Sequence, residues 1–124
     1  MRVVEQDLRK ALRDSGGCFD AIFSCFAIHH LEDERKRELY EVVFGLLEPD
    51  SVFCNLEHAS SPTARLQERF LSALGLAPKE EDPSNRLLDV ETQLGWLQEI
   101  GFVDVDCRWK WLKLALLGGE KSGR

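Results

Sequence analysis

A chain of 124 residues, 44% hydrophobic and 31% charged, falls with single globular domains: long enough for one ordinary core and too apolar for a disordered segment. Its 22 acidic against 16 basic side chains give a formal charge of -6, which opposes a phosphate backbone and argues against a general nucleic-acid binder. The longest nearly apolar run, Cys18 to Ile28, is broken by Asp20 and is shorter than the ~20 residues that cross a bilayer, and the first residues lack a secretory pattern. A cytoplasmic protein with no membrane segment is expected.

Turn signals at Ser15-Gly16-Gly17, Pro49-Asp50-Ser51, Gly75, Asp82-Pro83-Ser84 and Gly101 cut the chain into short elements of alternating type. Phe19 to Ile28 is apolar on both parities and predicts a central parallel strand covered by helices on both faces. Glu32 to Leu47 predicts an amphipathic helix, with Leu39, Val43, Leu46 and Leu47 on one stripe and Pro49 fixing its stop. Ser51 to Glu57 resumes strand character, which completes a βαβ unit with parallel strands. Ser61-Pro62 offers a cap and first position for a helix whose Leu66, Phe70 and Leu74 carry the apolar stripe to Gly75, followed by an acidic surface loop. Asp89 caps a further helix with Val90, Leu94 and Leu97 inward; Gly101 closes it and Phe102 packs back. Val103 to Trp109 and Lys113 to Leu117 are separated by three residues, too few for a parallel crossover, so they predict an antiparallel hairpin. The fold class is α/β.

In an open α/β sheet, ligands gather beyond the carboxyl ends of the parallel strands. The first strand ends at Ala27-Ile28-His29-His30 and the second at Glu57-His58-Ala59-Ser60, which places all three histidines on one edge. Imidazole acts as a base toward a hydroxyl or amine; it also caps helices and bonds backbone carbonyls, and both readings stay open. With Glu57 the histidines supply ligands for zinc or iron, but neighbouring residues at a strand end diverge and seldom share an ion, so no metal site is expected. Cys18, Cys25, Cys54 and Cys107 form no C-x-x-C pair and read as buried reduced thiols. The Trp109-Lys110-Trp111 cluster with Lys113 favours core and edge packing over base stacking in so acidic a chain. No Walker motif, G-x-S-x-G, H-E-x-x-H or G-x-G-x-x-G occurs.

Three runs taken in order carry a resemblance: C-F-D-A-I-F-S-C-F-A-I-H-H-L at 18 to 31, L-L-E-P-D-S at 46 to 51 and W-L-Q-E-I-G-F-V-D-V at 96 to 105. They look like the fourth strand, the turn before the fifth strand and the approach to the sixth strand of class I S-adenosylmethionine-dependent methyltransferases. The resemblance runs from Val3 to Lys121 and implies the C-terminal part of a Rossmann-like methyltransferase sheet. Residues 1–124 then form a single partial domain, with 61–88 an insertion helix and loop that shapes the acceptor pocket. Val3 to Leu8 is similar to the third strand and its following acidic residue, which assigns Asp7 and Leu8 to the cofactor adenine, although Asp7 equally suits a helix N-cap. The same resemblance implies Ser24, Cys25 and Phe26 along S-adenosylmethionine, and His29, His30 and His58 as bases or acceptor-positioning groups. It places Glu57, Phe70 and Trp111 at a small-molecule methyl acceptor.

Two departures stand out. Pro49-Asp50-Ser51 replaces the usual P-G-G, and the family's first two strands and glycine-rich loop have no counterpart. In the family's sheet order, 3-2-1-4-5-7-6, the fourth strand then becomes an exposed apolar edge. Such an edge recruits a strand, which predicts either Arg2 to Gln6 moving beside it or a homodimer formed there. The implied function is a small-molecule methyltransferase or a fragment of one. The alternative is a non-catalytic α/β binding or oligomerisation module.

Overall fold

The computed structural model describes residues 19–61, 63–76 and 87–123. In chain order these form β1 (Phe19–Cys25), a 3-10 turn (Ile28–His30), α1 (Asp33–Leu46), β2 (Leu47–His58), α2 (Ala64–Leu74), α3 (Val90–Ile100), β3 (Val103–Trp111) and β4 (Leu114–Glu120). The strands make one sheet in the order β1-β2-β4-β3. β1 lies parallel to β2, while β4 runs antiparallel to both β2 and β3. The βαβ unit and the C-terminal hairpin are therefore as the residue pattern predicts, and the strand order is the 4-5-7-6 that the resemblance implies. The proposed third strand, Val3 to Leu8, lies outside the described residues, as does Cys18.

The core fills one face of the sheet. Phe53 of β2 and Phe102 after α3 pack with Leu39, Tyr40 and Val43 of α1 and Leu97 of α3, and Ile22 of β1 joins them. Rings interlock at its centre, with Phe53 and Phe44 each against Phe102 at 5.9 and 5.0 Å between centroids. Along β2 the alternation is clean: Ser51, Phe53, Asn55 and Glu57 are buried, and the residues between them are half-buried.

The apolar pattern alone points to a central strand with helices on both faces, whereas the resemblance implies an exposed edge, and the described sheet shows the edge. Among the described residues β1 is an edge strand, and α1 and α3 share the Ile22 face. No described helix lies over Ala21, Phe23 and Cys25, so Phe23 stands 71% exposed. The thiols are free, as expected of reduced cysteines, but less buried than expected: Cys25 is exposed, and Cys54 and Cys107 are half-buried. Trp109 and Trp111 lie at the sheet edge rather than in the core, 50% and 43% exposed, with Trp111 packed against Phe70, because β3 is the other edge.

Several boundaries shift for identifiable reasons. β1 stops at Cys25, because Phe26 turns into the left-handed region with φ 53° and Ile28 to His30 follow as a helical turn. β2 begins at Leu47 rather than Ser51: Leu47 pairs with Phe19 and Val52 with Ala21, so the residues between bulge outward through Asp50 at φ 65°. α1 ends at Leu46, ahead of Pro49 as expected, and Lys121 caps that end from afar, its Nζ donating to the carbonyls of Phe44 and Leu47 at 3.0 Å each. Thr63 caps α2 in place of Ser61, accepting from the Leu66 N–H at 3.2 Å, and Leu74 faces solvent. Asp89 caps α3 as expected, accepting from the Thr92 N–H at 2.8 Å. Burial pushes the Asp89 carboxyl up, but hydrogen bonds from the Thr92 backbone and hydroxyl outweigh it and hold the group below its ordinary range.

Two glycines answer to space. At Gly118 a Cβ would stand 2.8 Å from the Phe53 carbonyl oxygen, and at Gly101, with φ 126°, it would meet the Phe44 ring at 3.1 Å. No helix among the described residues is long and apolar enough to cross a membrane.

The one-sided core makes a paired prediction. Phe53→Ala should lower the unfolding free energy by about 3–5 kcal/mol, whereas Phe23→Ala, on the open face, should change it by less than about 0.5 kcal/mol. Urea titrations of both variants check this, and similar losses in the two would contradict the assignment of faces.

Candidate functional site

Parallel pairing carries the ends of β1 and β2 to the same edge. The last paired residues are Cys25 and Leu56, and the Phe26 N–H donates to the Leu56 carbonyl at 2.8 Å. Beyond it, the left-handed turn at Phe26 swings Ile28 to His30 across the tip of β2. Strand alternation then separates two neighbours on β2: Glu57 faces the α1 and α3 side, and His58 faces the other.

Glu57 is 1% exposed. Its Oε1 accepts from the His29 N–H at 3.0 Å, meets His29 Nδ1 at 3.0 Å and accepts from the His58 N–H at 3.3 Å. Its Oε2 accepts from Asn55 Nδ2 at 3.0 Å. The same Nδ2 donates to the Tyr40 hydroxyl at 3.2 Å, which donates to Gln93 Oε1 at 2.6 Å; Gln93 Nε2 ends the series on the Leu88 carbonyl at 3.1 Å. One hydrogen-bonded chain thus links α3, α1, β2 and the His29 turn.

When Glu57 is ionised, its carboxylate at Nδ1 favours the His29 tautomer with the proton on Nδ1 and the basic lone pair on Nε2. Burial pushes the Glu57 carboxyl up to about 7, against the lowering effect of hydrogen bonds from Asn55 and from the His58 and His29 backbone and of the Lys36 charge. Burial, reinforced by the Glu57 charge and opposed by the Asn55 hydrogen bond, also drives the Tyr40 phenol far above its ordinary range. Tyr40 therefore remains a neutral donor, while Glu57 titrates near neutral pH.

On the other side the edge is aromatic. Ring centroids run from Phe26 to His29 at 6.4 Å, His29 to His58 at 5.5 Å, His58 to Phe70 at 5.3 Å and Phe70 to Trp111 at 6.0 Å. Lys113, only 2% exposed, holds Nζ 5.6 Å from the Phe70 centroid. Two of the three histidines, His29 and His58, thus come together with Phe70 and Trp111, and His30 shares the 3-10 turn. Ser24, Cys25 and Phe26 lie at the open end of β1, with Phe26 42% exposed. Glu57 is the correction: expected against the acceptor, it points inward because its position on β2 has the parity of Phe53 and Asn55. Asp7 and Leu8 lie outside the described residues. Among the described residues no group of three His, Cys, Asp or Glu side chains is placed to hold a metal ion.

Sequence reasoning missed Tyr40, Asn55 and Gln93. A signal for two of them existed: Asn55 interrupts the buried parity of a strand, and Gln93 stands one helical turn before Leu97 on the inward face of α3.

No family model matches the sequence, and no curated protein matches it either. Solved structures do. An O-methyltransferase family protein from Burkholderia thailandensis aligns with a TM-score of 0.71 and 20% identity over 96% of this chain and 35% of its own. Human N-acetylserotonin methyltransferase, solved in complex with SAM, aligns at 0.67 with 14% identity over 96% of this chain and 33% of its own. An O-methyltransferase family 2 protein from Planctomyces limnophilus, in complex with apigenin, aligns at 0.64 with 16% identity over 94% and 33%. The chain spans about a third of the length of these structures. Its fold is that of an S-adenosylmethionine-dependent methyltransferase domain, in its C-terminal part. The strands β1, β2, β4 and β3 occupy the places of the fourth, fifth, seventh and sixth strands of that sheet.

The raised Glu57 carboxyl gives a signed prediction. A group near 7 in the folded chain and 4.5 ordinarily binds its proton more tightly when folded, so stability falls as pH rises from about 4.5 to about 7 and then levels. Glu57→Gln removes this dependence. Between about pH 5 and pH 8 its unfolding free energy should fall by about 2 kcal/mol less than that of the unaltered chain. Equal declines in urea titrations of the two proteins would refute the assignment.

Proposed function

We propose that this chain is the acceptor-side part of a cytoplasmic, small-molecule S-adenosylmethionine-dependent methyltransferase, with His29 as its base. The observation that carries the reading is the His29–Glu57 pair at the carboxyl ends of two parallel strands of a methyltransferase fold, opening onto a row of rings. The open end of β1 fits one flank of the cofactor: the Ser24 hydroxyl offers a polar contact, and the exposed Phe26 ring offers an apolar face that also touches His29. Asp7 and Leu8 keep the adenine role that the resemblance implies. S-adenosylmethionine, when bound, supplies an electrophilic methyl group on a sulfonium.

The chain's own residues do the rest. Nε2 of His29 takes the proton of the acceptor hydroxyl or amine, and Glu57 offsets the imidazolium through Nδ1. His58, Phe70 and Trp111, each in contact with the next, form one wall beside the acceptor. His30 is held in the same turn as a second positioning group. Support for a base here is geometric: the carboxylate orients the ring before any substrate arrives.

Calorimetric titration of the chain with S-adenosylmethionine tests this reading. Saturable heat in the micromolar range is the expected result. Absence of heat at millimolar ligand would overturn it in favour of the non-catalytic module, whose support is the open β1 edge.

That edge carries the proposed homodimer. Among the described residues the outer edge of β1 has no partner strand and Phe23 is 71% exposed beside it, and antiparallel pairing with a second copy would satisfy that edge. Sedimentation at rising concentration should show a dimer that Phe23→Lys dissociates; a monomer throughout would dispose of the pairing.

A further inference from the structure

Between α2 and the β3–β4 turn lies an open groove of about 690 Å³, lined by Arg65, Glu68, Arg69, Ser72 and Trp111. Its size lies within the range of small-molecule sites. Arg65 and Arg69 stand four residues apart on α2, so their guanidinium groups share one helical face. Among the described residues neither has an acidic group within ion-pair distance. In a chain of formal charge -6, two arginines beside an indole form a local positive field against the overall balance.

Trp111 joins this groove to the site described above. Its ring is 43% exposed and also packs against Phe70 at 6.0 Å, and Phe70 in turn packs against His58 at 5.3 Å. A planar ring lying on Trp111 therefore continues the aromatic row that starts at Phe26. Guanidinium groups bind a carboxylate through two parallel hydrogen bonds, and an indole face supports an aromatic ring. Charge narrows the choice of anion. Two guanidiniums against the Glu68 carboxylate leave one net positive charge in the lining, which matches a monoanion rather than a dianionic phosphate ester.

We propose that the groove bounded by Arg65, Arg69 and Trp111 binds an aromatic carboxylic acid, and that the methyl acceptor is a molecule of this class anchored by its carboxylate. Only the word acceptor rests on the methyltransferase reading; the binding site stands on the groove itself.

The test is tryptophan fluorescence of the full chain titrated with 4-hydroxybenzoate, its neutral analogue 4-hydroxybenzamide, and phenyl phosphate, all without S-adenosylmethionine. The benzoate should quench saturably and bind at least about tenfold more tightly than either other probe. Trp111→Phe should abolish the quench, and Trp109→Phe should keep it. The double variant Arg65→Gln, Arg69→Gln should weaken benzoate about tenfold or more while leaving the benzamide unchanged. Both arginines are exposed, so loss of folding is not expected, and circular dichroism checks it. Equal affinity for benzoate and benzamide, tighter binding of phenyl phosphate, no quench by any probe, or a double variant with undiminished benzoate affinity would each overturn the proposal. A chain that takes the benzoate but gives no heat with S-adenosylmethionine would sink the methyltransferase reading alone. The reverse pattern would sink the groove alone.

Discussion

A carboxyl group held away from water at the tip of β2 sets the terms for everything around it. Glu57 can stay at 1% exposure only because donors arrive from three directions: the backbone of the His29 turn, the backbone of His58 and the amide of Asn55. Removing the Asn55 amide strands the buried Oε2, a loss of roughly 1–3 kcal/mol, whereas Oε1 shares its donors between the His29 turn and His58. The turn after β1 is therefore not free to wander. It must lie across β2 with the His29 N–H aimed at Oε1, and that requires β1 to be parallel to β2 and to stop at Cys25.

From that constraint the edge divides into two chemistries. Inside, Glu57, Asn55, Tyr40 and Gln93 form a polar series enclosed by α1 and α3, with one member that titrates near neutral pH. Outside, His58, Phe70 and Trp111 present rings, and the Arg65 and Arg69 face of α2 presents cations. His29 touches both, bonded to Glu57 and edge-on to His58. In the proposed function a proton moves on the inner side while the ligand is held on the outer one.

How far this was legible depended on how local each determinant is. Asp89 and Gly101 mark the ends of α3 through hydrogen bonds and dihedrals confined to a few residues, and both were readable from the chain. The same holds for the β3–β4 hairpin, since a short connection admits one direction only. The end of α1 was readable from Pro49, but its cap was not, because the Lys121 ammonium reaches back to the Phe44 and Leu47 carbonyls from beyond β4. The burial of β1 was legible only in part: the apolar run argued for cover on both faces, and the resemblance for an exposed edge. Phe23 belongs to an apolar run, but apolarity states a preference, and no described element covers its face.

The sequence by itself determined the type and order of the elements, the parallel sense of β1 and β2, and the arrival of the histidines at one edge. Those follow from periodicity, turn chemistry and crossover length, all of which are short-range. Only the tertiary structure decided that Glu57 turns inward to orient His29, that Tyr40 and Gln93 belong to the same series, and that Trp111 faces the guanidiniums of α2. Each of those depends on residues far apart in the chain meeting across a particular strand register, and in a β-strand a register step of one residue exchanges the two faces.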